Sequence, residues 1–178
     1  MAAEKGRFEI VRELVRRGSR VDPYNHDRNR FKLSGTSLQD FIENLNNRET
    51  PLYLAAKNNH SAVVSFLATK SQKSISKTDG DGWSPLLIAA ANGHLEVCQT
   101  LLNEGANCQE TDKNDRTLVY IAAMEGHFDF LENILTRPEV ANLVNERDQY
   151  QNTACHIASQ MGFNRALDAL VQARDLQL

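Results

Sequence analysis

Apolar residues fall along this chain in short bursts of four to six, each containing a pair of small residues, and the bursts recur at nearly constant spacing. The small pairs are Ala2-Ala3, Ala55-Ala56, Ala89-Ala90, Ala122-Ala123 and Ala158-Ser159, separated by 53, 34, 33 and 36 residues. Four of them follow an apolar residue, namely Leu54, Ile88, Ile121 and Ile157. Upstream of each of these four lies a helix-start signal: Thr50-Pro51, Ser84-Pro85, Thr117 or Thr153. A hydroxyl at the N-cap accepts a first-turn N–H, and proline at N1 lacks a donor that would be unpaired there anyway. Downstream, Gly93-His94, Gly126-His127 and Gly162 break the first helix. A second apolar pattern then begins, for example Val97, Leu101 and Leu102, or Phe130, Leu131, Ile134 and Leu135. Gly105 closes the helix of the Val97 segment. The pattern predicts a unit of turn, helix, turn, helix.

The unit predicts the organisation of the whole chain. Residues 1–22 hold only the end of a first helix and a second helix, with Ile10, Val11, Leu14 and Val15 on one side and Gly18 as cap. The missing front half leads to the expectation that the chain is a piece of a longer array. Residues 23–47 are an insertion, basic from Tyr24 to Lys32. Within it Leu38, Phe41, Ile42 and Leu45 have the spacing of a short amphipathic helix behind the capping box Thr36 to Gln39. Full units follow at 48–78, 79–111, 112–146 and 147–178. Ser71 to Lys77 reads as a loosened polar connection. Thr136 to Asn145 lengthens the next one, and the C-terminal stretch from Arg174 has no polar capping helix.

A unit of about 33 residues with this punctuation, above all Asp79-Gly-Asp-Gly-Trp-Ser-Pro-Leu-Leu-Ile-Ala-Ala-Ala-Asn-Gly-His94, resembles the ankyrin repeat. The resemblance implies an all-α fold, an α-solenoid of helix-turn-helix repeats with β-turn or hairpin fingers. About four full repeats plus an N-terminal half repeat are expected. One helix pair cannot bury its apolar side alone, but stacked pairs bury a continuous core.

Composition narrows the function. The chain has 178 residues, 41% of them hydrophobic and 24% charged, with a net charge of −3. Its longest apolar run, Leu86 to Ala91, is too short for a membrane span. The first residues lack the apolar core of a signal peptide. Three cysteines without metal or redox spacing fit a reducing compartment. Residues 1–32 carry nine basic and five acidic side chains, which leaves −7 on residues 33–178. The basic start reads as a solvated face or as a docking segment for an acidic partner or anionic membrane surface. The acidic remainder argues against nucleic acid.

Catalytic chemistry finds no support. His60, His94 and His127 recur in step, but each holds the same place in its own repeat. Packed helices lie about 8–10 Å apart, too far for equivalent residues to share a zinc ion at about 2 Å. These histidines read as turn caps. Cys98, Cys108 and Cys155 read as small core residues. Asp79-Gly-Asp-Gly82 lacks the spacing of a phosphate loop or an EF-hand. No catalytic residue, cofactor or metal is expected. Of the complete repeats, only the last has the family's Thr-Pro-Leu-His histidine, as His156; Tyr53, Leu87 and Tyr120 stand there in the others. The family's hydrogen-bonding role for that histidine carries over to His156 alone.

The resemblance instead implies a protein partner, held on the concave side by finger tips and the ends of first helices. Carried over by position, the fingers give Asp81 and Trp83, then Lys113, Asn114 and Arg116, then Tyr150 and Asn152. First-helix ends give Lys57 and Asn58, Asn92, Met124 and Glu125, and Gln160 and Met161. Trp83 either faces the partner or packs on the neighbouring finger. If Trp83 and Arg116 serve only a partner, replacing both with alanine leaves the unfolding midpoint unchanged. A finer resemblance links Leu143-Val-Asn-Glu-Arg-Asp148 and Asn152-Thr-Ala-Cys-His-Ile-Ala-Ser159 to segments in the cytosolic arrays of TRPA-type cation channels. Gln151 stands there in place of a glycine, and Ala154-Cys155 in place of Pro-Leu. Three function classes follow: a non-catalytic interaction scaffold, the cytosolic array of such a channel, and the targeting module of a larger enzyme such as a ubiquitin ligase or kinase. All three place the chain in the cytoplasm or on the cytosolic side of a membrane, with neighbouring repeats in the full-length protein.

Overall fold

The structure, a computed structural model, describes residues 50–175. The half repeat at 1–22 and the insertion at 23–47 lie outside the described residues. Four helix pairs follow one another: α1 (Pro51–Lys57) with α2 (Ser61–Lys70), α4 (Pro85–Ala91) with α5 (Leu95–Asn103), α6 (Leu118–Met124) with α7 (Phe128–Ile134), and α9 (Ala154–Met161) with α10 (Asn164–Asp175). First helices stack on first helices and second on second, giving two layers. The fingers between pairs are turns, and no strand occurs among the described residues.

Local chemistry fixes each first helix as the sequence indicates. The hydroxyls of Thr50, Ser84 and Thr117 accept the N–H groups of Tyr53, Leu87 and Tyr120 at 3.1–3.3 Å. Pro51 and Pro85 occupy N1. The alanine pairs at 55–56, 89–90 and 122–123 are buried and let first helices approach closely, while Leu67, Leu101, Ile134 and Leu170 fill the second layer. Each fully buried leucine contributes about 2 kcal/mol of transfer free energy.

Two connections differ from the expected loops. Residues Gln72–Ile75 form a helical turn, α3, with Ser74 and Ile75 buried; Gln72 Nε2 donates to Glu104 O at 2.8 Å. Pro138–Ala141 (α8) and a 3₁₀ turn at Asn142–Asn145 fold the long connection into two short turns that bury Val140, Leu143 and Val144. The apolar residues in these polar stretches are too few to show helical periodicity, but each finds a place against the core.

Each finger is held by an aspartate at its base, and two of the three aspartates also tie it to the preceding repeat. Asp79 Oδ1 accepts the N–H groups of Asp81 and Trp83, Asp112 Oδ1 those of Asn114 and Arg116, and Asp148 Oδ1 those of Tyr150 and Asn152, all at 2.8–3.0 Å. The second oxygen takes a side-chain donor. Tyr53 Oη donates to Asp79 Oδ2 at 2.9 Å, and Tyr120 Oη to Asp148 Oδ2 at 2.8 Å, each from the preceding first helix. Leu87 has no hydroxyl, and Arg116 of the same finger binds Asp112 Oδ2 instead, with Nε at 2.8 Å. Burial raises the Asp148 and Asp112 carboxyls, but the bonds they accept outweigh it and hold both below the usual range. Burial, then Asp148 itself, pushes the Tyr120 hydroxyl up to about 12. The residue three after each aspartate is left-handed: Gly82 at φ +86°, Asp115 at +59° and Gln151 at +67°. Gln151 thus takes the conformation a glycine would supply, at some steric cost.

A second set of ties joins the turns. His94 Nε2 lies 3.1 Å from Lys57 O and His127 Nε2 2.8 Å from Ala91 O, each in the preceding repeat. His60, His94 and His127 make no side-chain cap bond to their own helices. In His94 and His127 the imidazole therefore bridges repeats rather than capping its turn. A glycine directly below leaves room: a Cβ on Gly93 would stand 3.0 Å from the His127 ring. One carboxylate lacks such support. Glu110 Oε2 is buried without a hydrogen-bond partner among the described residues, and its burial raises the Glu110 carboxyl against the opposing effect of the Ser84 hydroxyl.

Two opposite pH responses follow. Tyr120→Phe should cost about 1–2 kcal/mol in urea unfolding at pH 7. Because the Asp148 carboxyl is depressed in the folded state, its stabilisation is present above its unfolded value and lost as pH falls through the folded one. The deficit of the variant should therefore shrink in acid; a deficit constant from pH 7 to 3 would exclude the tie to the carboxylate. Glu110→Gln should instead raise the unfolding free energy in urea at pH 7, by on the order of 0.5 kcal/mol for one half-exposed group. Its folded carboxyl is raised, so the stability it contributes is full below its unfolded value and lost as pH rises through the folded one. The advantage of the variant should vanish near pH 4; no gain at pH 7 would show that the carboxylate is well solvated.

Candidate protein-interaction surface

The finger tips are joined to one another. Lys113 Nζ donates to Gly80 O in the preceding finger and lies 3.8 Å from Asp81 Oδ1. Gln149 N and Nε2 donate to Asn114 O and Oδ1, both at 3.0 Å. The ring of Trp83 lies beneath the Arg116 guanidinium, 5.6 Å from its centroid, and also packs against the core. Arg116 is fully engaged: besides Asp112 and Trp83, its Nη1 reaches Met124 Sδ at 3.5 Å. Trp83, Arg116 and Met124 thus form one half-buried group bridging two fingers and the end of α6.

The remaining sequence-derived positions divide in two. Several polar groups complete the fold. Asn58 and Asn92 Nδ2 donate to Leu54 O and Ile88 O at 2.8 Å, closing α1 and α4. Asn152 gives Asp148 its N–H and a side-chain hydrogen bond. Lys57 Nζ lies 5.9 Å from the centroid of the Tyr53 ring. The others offer exposed side chains: Glu125, Gln160, Met161 and Tyr150. Tyr150 is 73% exposed and Met161 50% exposed. Tyr150 corresponds to Asp81 and Asn114, and Met161 to Asn58, Asn92 and Glu125, positions that are polar in every earlier repeat. Here large side chains with apolar surface stand exposed where the repeat otherwise keeps polar groups.

The finger-base aspartates escaped the sequence reading. Their signal was an aspartate five residues before each N-cap hydroxyl, Asp79 to Ser84, Asp112 to Thr117 and Asp148 to Thr153. The transferred role of His156 has a local counterpart, since its Nδ1 accepts the Thr153 N–H at 3.2 Å and lies 2.8 Å from Thr153 Oγ1. Cys98 is fully buried, which raises its thiol far above the usual range; Cys108 and Cys155 are half-buried. Among the described residues no three His, Cys, Asp or Glu side chains gather as metal ligands. None of the described helices is long and apolar enough to cross a membrane.

Comparison with known proteins agrees with this geometry. A family model for ankyrin repeats, three copies, matches residues 1–112. The pairs beyond residue 112 repeat the same helices and finger. The chain is 34% identical over 177 residues, 97% of its length, to transient receptor potential cation channel subfamily A member 1 of Drosophila melanogaster, of which it spans 14%. It is 29% identical over 150 residues to ankyrin repeat and SAM domain-containing protein 6 of Danio rerio, covering 78% of the chain and 20% of that protein. Inversin of Canis lupus familiaris is 28% identical over 148 residues, 83% of the chain and 12% of that protein. The chain therefore spans a fifth or less of the length of these relatives. By the match over residues 1–112 and the helix pairs that carry the pattern onward, this chain belongs to the ankyrin-repeat family.

Proposed function

We propose that the chain is a non-catalytic scaffold segment that holds a protein partner along the finger tips and first-helix ends, within a longer repeat array on the cytosolic side. The observation that carries this reading is the exposure of Tyr150 and Met161 at positions that are polar in the other repeats. Aromatic residues and methionine are enriched in interface cores, and a rigid ring offers contact area at small entropic cost. The linked fingers support it further: hydrogen bonds from Lys113 to Gly80 and from Gln149 to Asn114 hold the tips in one arrangement, so little ordering remains for binding. Trp83 and Arg116 set the shape of this surface from beneath.

The second reading is the cytosolic array of a TRPA-type cation channel. It is favoured by 34% identity along 97% of the chain to a channel of that type, and it places this segment beside a membrane without entering it. Its expected sign is simple: an antibody against residues 1–178 should detect a protein far larger than 20 kDa in the detergent-extracted membrane fraction of source cells. A soluble native protein would exclude the channel and leave the scaffold.

The partner surface has its own test, by pull-down with the chain as bait followed by titration of the partner recovered. Tyr150→Ala with Met161→Ala should weaken that partner by at least about tenfold, with the urea midpoint little changed, because both side chains are exposed. Arg116→Ala should lower the unfolding free energy by on the order of 1–3 kcal/mol, and the midpoint with it, since it leaves a buried carboxylate underbonded. Equal loss of stability in both variants would show that Tyr150 and Met161 are structural; undiminished binding in the double variant would move the partner elsewhere.

A further inference from the structure

Asn92 and Gly93 form the only Asn-Gly pair in the chain. They lie in the turn between α4 and α5, with Asn92 exposed at the end of α4 and Gly93 left-handed at φ +68°. Such a pair carries its own chemistry. The backbone nitrogen of the second residue can attack the side-chain carboxamide of the first, and glycine has no Cβ to keep the two apart. No other turn between a first and a second helix joins these two residues. Asn58 is followed by Asn59, while Gly126 and Gly162 follow Glu125 and Met161.

The fold holds both reacting groups. Asn92 Nδ2 donates to Ile88 O at 2.8 Å, and Gly93 N donates to Ala90 O at 3.1 Å. Ring closure consumes both donors, so neither bond survives it. The next repeat closes over the pair. A Cβ on Gly93 would stand 3.0 Å from His127 Nδ1, so the imidazole rests on the glycine, while His127 Nε2 lies 2.8 Å from Ala91 O. One ring from the third helix pair thus touches the main chain on both sides of Asn92. Asn58 is held in the same way, by Leu54 O at 2.8 Å and with His94 against Lys57 O, but it lacks the glycine.

We propose that Asn92-Gly93 is a site of self-modification by deamidation, latched by His127 and released when the junction between the second and third helix pairs opens. In the open state Gly93 N loses its proton and attacks Asn92 Cγ. The new C–N bond closes a succinimide ring, the Cγ–Nδ2 bond breaks, and Nδ2 leaves as ammonia with the displaced proton. Water then adds to one of the ring carbonyls and opens the ring, to aspartate or to isoaspartate. No other reactant is needed.

Both products work against reclosure. Aspartate puts a carboxylate where the amide donated to Ile88 O, at the negative end of the α4 dipole. Isoaspartate routes the main chain through the side-chain carbon and so shifts Gly93 from beneath the His127 ring. An opening of this junction therefore leaves a permanent change and a looser joint. The step does not depend on a partner at Tyr150 and Met161.

The test follows peptide mass at Asn92 in the 178-residue chain, held in mildly alkaline buffer with and without unfolding urea. Conversion should be at least about tenfold slower in the folded chain, because opening must come first. In urea Asn58 should convert more slowly than Asn92. His127→Ala should raise the folded rate several-fold and leave the rate in urea unchanged. His127→Phe keeps a ring, as Phe163 lies against Gly126, but loses the bond to Ala91 O; its folded rate should fall between the two, and it decides the matter if the alanine variant does not fold. Chain converted at Asn92 should unfold at a lower urea midpoint than fresh chain, and Asn92→Asp should reproduce part of that loss. Equal rates in folded and unfolded chain, a folded rate that neither His127 variant raises, Asn58 converting as fast as Asn92, or an unchanged midpoint after conversion would each overturn the proposal.

Discussion

Each finger depends on one carboxylate at its base, half-buried in Asp79 and buried in Asp112 and Asp148. Asp79, Asp112 and Asp148 collect two backbone N–H groups with one oxygen and a side-chain donor with the other. A charge removed from water is tolerated only when its lone pairs are filled, so the finger can take few shapes that leave it satisfied. Tyr53 and Tyr120 extend this constraint from one repeat to the next. Where Leu87 cannot, Arg116 fills the same oxygen from within its own finger. The network keeps its accounting while changing its source, and the change brings Arg116 over Trp83.

The helices contribute a different kind of order. Apolar burial is non-directional; it holds the two layers together but does not by itself fix how one pair is rotated on the next. Direction comes from polar contacts at the two ends of each first helix. At its start, an N-cap hydroxyl and the finger aspartate set the entry. At its end, His94 and His127 reach back to carbonyls of the preceding repeat. The small residues between these ends permit close approach, and Gly93 and Gly126 leave room for the rings that lie on them.

This division explains why the surface is informative. Most groups at the tips are committed to their neighbours, as with Lys113, Asn114, Arg116 and Asn152. What remains uncommitted is concentrated in the last repeat, and for two separate reasons. Tyr150 and Met161 are exposed at positions that hold polar residues in the earlier repeats. Cys155, His156, Ser159, Leu167 and Val171 occupy positions that other repeats bury. The first set carries the partner surface proposed above; the second lines the outer side of the last helix pair.

The sequence by itself determined the repeat, its period, its caps and its core, because these are local or periodic. A Ser-Pro or Thr-Pro helix start, a glycine after a helix and alanine pairs about 33 residues apart leave their marks in the order of residues. It did not disclose which polar residues meet. The bond from Tyr120 to Asp148 joins residues 28 apart, and Trp83 meets Arg116 across two fingers. Such pairs depend on the rotation of one repeat against the next, for which a single sequence carries no period. The same holds for the connections: Ile75 is an isolated apolar residue in a polar stretch, Val140, Leu143 and Val144 follow no single helical period, and only their place beside the stacked pairs makes them core. The surface positions were legible as a register transferred from the family, but their division into groups that hold the fold and groups left exposed was decided by tertiary contact, since exposure is a property of what lies alongside.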